Sequence, residues 1–117
     1  MFNETFYTIQ GIESINNSHT VSILLNTEHS IYNGHFPQQP VVPGVCTLQI
    51  IKECASKLLK KKVRYQSISS CKFTSLIVPS AEVITINLVL NDLVSCVASV
   101  SVNGASVLKL KATFVEL

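Results

Sequence analysis

In the last third of the chain the apolar residues keep one parity through three consecutive stretches. Ile84, Ile86, Leu88 and Leu90 are followed by Cys96, Ala98, Val100 and Val102, and then by Leu108, Leu110, Ala112 and Phe114. A period of two puts all members of a stretch on the same side of an extended backbone, so each stretch predicts a strand with one buried face. Asn103-Gly104, between the last two, is a strong signal for a type I′ hairpin turn. Residues 5–12 and 20–27 also read as strands, divided by the turn cluster Asn16-Asn17-Ser18, and another is expected from about Arg64 to Val78. The pattern changes in the middle. Val45, Leu48, Ile51, Cys54, Ala55, Leu58 and Leu59 recur at spacings of three and four, and Ile50 widens the stripe, which predicts a helix from about Val45 to Lys60. Lys60, Lys61 and Lys62 end it, with no glycine at the cap. The expectation is an α+β fold, an antiparallel sheet wrapped around one long central helix. Without a linker, repeat or low-complexity segment, residues 1–117 are expected to form one domain.

The segment Gly34-His35-Phe36-Pro37-Gln38-Gln39-Pro40-Val41-Val42-Pro43-Gly44-Val45 leads into that helix. Its three prolines fix φ and remove backbone donors, so it can be neither helix nor interior strand, and it is expected to hold His35 in one place. Pro43 and Gly44 fall where the helix begins, with unpaired N–H groups and the positive end of the helix dipole turned outward. A carbonyl or an anion could bind there.

This segment resembles the β-hydroxyacyl-[acyl carrier protein] dehydratases of fatty-acid synthesis, which have the hotdog fold. The pattern Gly-His-Phe-Pro-x-x-Pro-Val-x-Pro-Gly-Val matches over residues 34–45, and Lys72-Phe73 followed by Pro79 resembles the family's next segment. The resemblance implies that His35 is the base that removes the α proton and that the Gly44 N–H stabilises the thioester oxyanion. Phe36 and Val45 would border the substrate pocket or pack beneath it, and Cys46, two residues past Gly44, could line it. The family carries a carboxylate on the helix fourteen residues after the histidine. Here that position is Gln49, which can orient a hydroxyl or a water but cannot donate a proton as a carboxylic acid does. Glu53, one turn further along, is expected to pair with Lys57. The leading expectation is a dehydratase-like protein acting on β-hydroxyacyl groups carried on acyl carrier protein, without metal or organic cofactor, and at least a homodimer because the family's sites form between subunits. Two alternatives stay open: an acyl-thioester hydrolase on the same fold, and a non-catalytic acyl-carrier-binding protein or partner subunit.

Charge and cysteine content restrict the remaining functions. Charged residues make up 14% against 47% hydrophobic, so part of the surface is expected to face another subunit. The net charge of +2 argues against a nucleic-acid footprint. Yet Lys52, Lys57, Lys60, Lys61, Lys62, Arg64 and Lys72 fall together, with Glu53 the only acid among them. That run is either a solvated helix end or a docking patch for an acidic carrier, built on Lys57, Lys60, Lys61 and Arg64. Cys46, Cys54, Cys71 and Cys96 lack the spacing of a metal site and read as reduced, buried small hydrophobes. Neither a signal peptide nor a membrane span is evident, so a cytoplasmic protein is expected.

Overall fold

The computed structural model describes residues 6–26, 42, 44–75, 77–78, 82–91 and 95–117. Six strands and one helix follow in the order β1 (Tyr7–Ile15), β2 (Ser18–Leu25), α1 (Gly44–Leu59), β3 (Val63–Phe73), β4 (Ile84–Asn91), β5 (Ser95–Val102) and β6 (Ala105–Glu116). The strands form one antiparallel sheet in the order β1-β2-β4-β5-β6-β3, so among the described strands β1 and β3 are its edges.

The expected parity holds in the sheet's centre. Ile84, Ile86, Leu88 and Leu90 of β4, Cys96, Ala98 and Val100 of β5, and Leu108, Leu110, Ala112 and Phe114 of β6 are all buried. Direct cross-strand pairs such as Ile86 with Val100 and Ala98 with Leu110 carry that face from strand to strand. Against it α1 buries Cys46, Thr47, Ile50, Ile51, Cys54 and Ala55, a stripe that returns every third or fourth residue. Asn103 and Gly104 both adopt positive φ, 53° and 80°, as a type I′ turn demands.

Three boundaries differ from the sequence expectation. The first hairpin is longer, because β1 and β2 continue to Ile15 opposite Ser18 and leave Asn16-Asn17 alone to turn the chain, with Asn16 at φ 56°. The strand expected to reach Val78 stops at Phe73. It also carries two bulges, between Tyr65 and Ser67 and between Ile68 and Ser70. Each inserts one unpaired residue and reverses the parity, so the core-side positions run Val63, Tyr65, Ile68, Cys71, Phe73. The helix ends at Leu59 in a Schellman closure. The Lys61 N–H donates to the Ser56 carbonyl (3.2 Å) and the Lys60 N–H to that of Lys57 (3.4 Å), while Lys60, at φ 58°, takes the left-handed position usually given to glycine.

Candidate active site

Gly44 opens α1, where its N–H has no acceptor within the helix. It borders a groove of about 230 Å³ with Val42, Thr47, Phe73, Ser75 and Ile77. The groove is held by long-range bonds: the Val42 N–H donates to the Ile77 carbonyl (2.8 Å) and the Thr74 N–H to the Val107 carbonyl (2.9 Å). The Phe73 ring lies over the helix start so closely that a Cβ on Gly44 would meet Phe73 Cζ at 3.0 Å. Any larger residue here would need the Phe73 ring to give by a few tenths of an ångström, and the same contact brings an apolar wall to the N–H expected to stabilise an oxyanion.

The next two residues diverge. Val45 is 75% exposed, whereas Cys46 is buried in the core, and neither borders the groove at Gly44. Thr47, buried although polar, lines that groove, a position that sequence reading passed over because threonine inside an apolar helix carries no signal of its own. His35 and Phe36, the expected base and a pocket residue, lie outside the described residues, as does His29. His19 is on β2, where its Nδ1 bonds the Ser14 hydroxyl at 2.7 Å.

Gln49 stands five residues after Gly44, about 140° around the helix, and does not share its groove. Its amide Nε2 donates to Glu53 Oε2 at 2.9 Å. Glu53 Oε1 accepts a second bond, also 2.9 Å, from the Tyr7 hydroxyl at the start of β1. Besides the expected i,i+4 neighbour Lys57, Glu53 thus has bonds from one turn earlier and from a strand 46 residues away in sequence. Tyr7 is essentially buried. Desolvation first, then Cys54 and Glu53 beside it, push its phenol far above the ordinary range, so it remains a neutral donor. Burial likewise pushes Cys54 up to about 11 and raises Cys46, which leaves neither a ready thiolate nucleophile; Cys71, expected to be buried like them, is exposed on the edge strand β3.

The proposed docking residues Lys57, Lys60, Lys61 and Arg64 are all exposed around the end of α1 and the start of β3. Lys61 is partly neutralised by Glu116, 3.5 Å away. The sheet adds cations that are remote in sequence, since β3 pairs with β6 and sets Lys72 directly opposite Lys109, with Lys111 opposite Ser70. Among the described residues no group of three or more His, Cys, Asp or Glu side chains could hold a metal ion, and no helix is long and apolar enough to cross a membrane.

An antiparallel six-stranded sheet laid against one helix is the hotdog fold, and solved structures agree. The dehydratase heterocomplex ApeI:P from Xenorhabdus doucetiae matches with a TM-score of 0.80 at 18% identity, over 92% of this chain and 96% of that one. An uncharacterized protein from Erwinia carotovora subsp. atroseptica matches with a TM-score of 0.74 at 21% identity, over 94% of each chain. The family model of ApeI-like dehydratases matches residues 11–104, and the chain belongs to that family. Among curated relatives, the 3-hydroxyacyl-[acyl-carrier-protein] dehydratase FabZ of Lactobacillus helveticus is 34% identical over 67 residues, 51% of this chain and 44% of the relative. FabZ of Streptococcus mutans is 37% identical over 60 residues, 45% of this chain and 43% of the relative. The matched stretch thus spans under half the length of these relatives.

Proposed function

We propose that this chain is a lyase that interconverts β-hydroxyacyl and enoyl thioesters presented on acyl carrier protein, in fatty-acid or related lipid or polyene synthesis, and that it works in the cytoplasm as a homodimer of single 117-residue hotdog domains. Membership of a dehydratase family supports the reaction class. The observation that carries the reading is the start of α1: a glycine N–H at the positive end of a helix, beside a groove with apolar walls and directly after the segment bearing His35. In this reading the His35 imidazole removes the α proton, the Gly44 N–H takes the developing charge on the thioester oxygen, and the same imidazole returns a proton as the β-hydroxyl departs as water. No cofactor is needed for that sequence.

The separation of Gly44 and Gln49 around the helix supports a site shared between two copies, with His35 and Gly44 from one and Gln49 from its partner. Exposed apolar side chains support the same assembly: Ile68 (43%) and Phe73 (49%) lie on the core-side face of the edge strand β3, and Val45 is in the first turn of the helix. In the carrier's approach, Lys57, Lys60, Lys61 and Arg64 would meet its acidic surface. The hydrolase reading has one observation in its favour, an amide at position 49 that can hold a water. To separate the readings, the purified protein is incubated with β-hydroxyacyl and enoyl thioesters on carrier protein and on coenzyme A, following both interconversion and thiol release. Interconversion that disappears in His35→Ala is expected; thiol release without interconversion makes the protein a hydrolase, and binding without turnover makes it a non-catalytic partner.

A further inference from the structure

The bonds around Glu53 decide which end of the Gln49 amide is offered to a ligand. A carboxylate whose two oxygens each receive a donor, the Tyr7 O–H on one and the Gln49 N–H on the other, is an acceptor at both ends. Gln49 therefore turns its nitrogen to Glu53, and its carbonyl oxygen, Oε1, is the end directed away. Tyr7 is held as the donor, because a carboxylate oxygen only accepts and the buried phenol, anchored in the sheet, keeps its proton. The amide is held by a chain that begins at β1 and ends one helical turn from position 49.

The geometry points to a specificity device: Tyr7 and Glu53 are positioning residues that fix Gln49 as a hydrogen-bond acceptor, so that the site selects acyl thioesters carrying a hydroxyl donor at the β carbon over those carrying a β-keto oxygen. This rests on the proposed thioester reading and extends it to the choice among β-substituents. A β-hydroxyl donates to Gln49 Oε1, whereas a β-keto group has only lone pairs to set against it. A site built around one hydrogen bond discriminates strongly against a ligand that cannot make it, because a polar group is then left unpaired. Replacing Glu53 by glutamine reverses the constraint: with the Tyr7 O–H on its carbonyl oxygen, the new amide has only its N–H left for Gln49, which turns its own oxygen inward and its nitrogen outward.

The test is binding, which does not depend on turnover. Non-hydrolysable thioether analogues of a short β-hydroxyacyl and a β-ketoacyl pantetheine are titrated calorimetrically into the parent, Glu53→Gln and Tyr7→Phe, with thermal melts to confirm folding. The parent is expected to prefer the hydroxy analogue by about tenfold or more, Glu53→Gln to lose most of that ratio by gaining affinity for the keto analogue, and Tyr7→Phe to lose part of it. A parent without that preference, or a ratio unchanged in folded Glu53→Gln, overturns the inference and leaves the thioester reading standing. If Glu53→Gln does not fold, Tyr7→Phe decides, and an unchanged ratio there overturns the inference. A parent that binds neither analogue overturns the thioester reading and this inference with it.

Discussion

At position 49 an amide donates a hydrogen bond to the carboxylate of Glu53. Gln49→Glu would set a second carboxylate against Glu53, and two such groups at hydrogen-bond distance cannot both ionise freely, so one takes a folded-state pKa above its unfolded value. A group of that kind stabilises the fold below the unfolded value, about 4.3 for glutamate, and its contribution is lost as pH rises through the folded value. Gln49→Glu is therefore expected to melt closest to the parent in acid and to fall progressively behind it toward neutral pH. The exchange variant Gln49→Glu with Glu53→Gln keeps one amide and one carboxylate and should recover most of the loss; melting curves across pH check both. The buried thiols act with the same sign at higher pH. Burial holds Cys54 and Cys96 up to about 11, so the protonated forms support the fold below their ordinary value of 9.0 and that support disappears as pH climbs toward 11. A denaturant midpoint that is level near neutrality and drops between those values is the expected result.

At the scale of elements, the closures of α1 carry two predictions. Lys60 occupies a left-handed position without glycine's freedom, and its side chain is exposed, so Lys60→Gly should stabilise the fold by about 0.5–1 kcal/mol, read from the denaturant midpoint. Gly44→Ala should cost about 1–3 kcal/mol because its methyl group meets the Phe73 ring, and Phe73→Leu in the same chain should recover part of that. The elements themselves were largely legible in the sequence. The period of two in β4, β5 and β6 and the stripe of α1 are imposed by burial on one face, and burial leaves its period in the residue order. In β3 the unpaired residues Gln66 and Ser69 reverse the parity twice, so no single period marks its core face or its end. The candidate site was half legible. Gly44 follows from the proline segment and the helix start, but the Tyr7–Glu53 bond joins residues 46 apart, and only the folded sheet brings them together.

For the whole molecule, the proposed site needs two copies that complete one another. Ile68→Lys, placed on the exposed core-side face of β3, should shift the protein toward monomer in sedimentation and lower turnover with it. His35→Ala and Gln49→Ala should each be nearly inactive alone. Mixed by co-expression, they form about half mixed dimers, each with one intact site of two, so about a quarter of the parent's activity should return. No recovery would place His35 and Gln49 in the same copy's site. Pairing of β3 with β6 also sets Lys72 opposite Lys109, and Lys111 opposite Ser70, towards the far end of β3 from Arg64, so positive charge on this edge of the sheet does not stop at the residues adjacent in sequence. Replacing Lys57, Lys60, Lys61 and Arg64 by serine should weaken use of carrier-bound substrate, most at low salt, and leave small thioesters unaffected.

Elimination at a thioester requires a proton to leave or join the α carbon, and hydrolysis of the same thioester does not. The most direct measurement is hydration of an enoyl thioester in deuterium oxide, with the product examined by mass spectrometry and NMR. The expected product is a β-hydroxyacyl thioester carrying one deuterium at the α carbon, formed by the parent and not by His35→Ala. Release of free thiol with an unlabelled α carbon, from the parent under the same conditions, would contradict it.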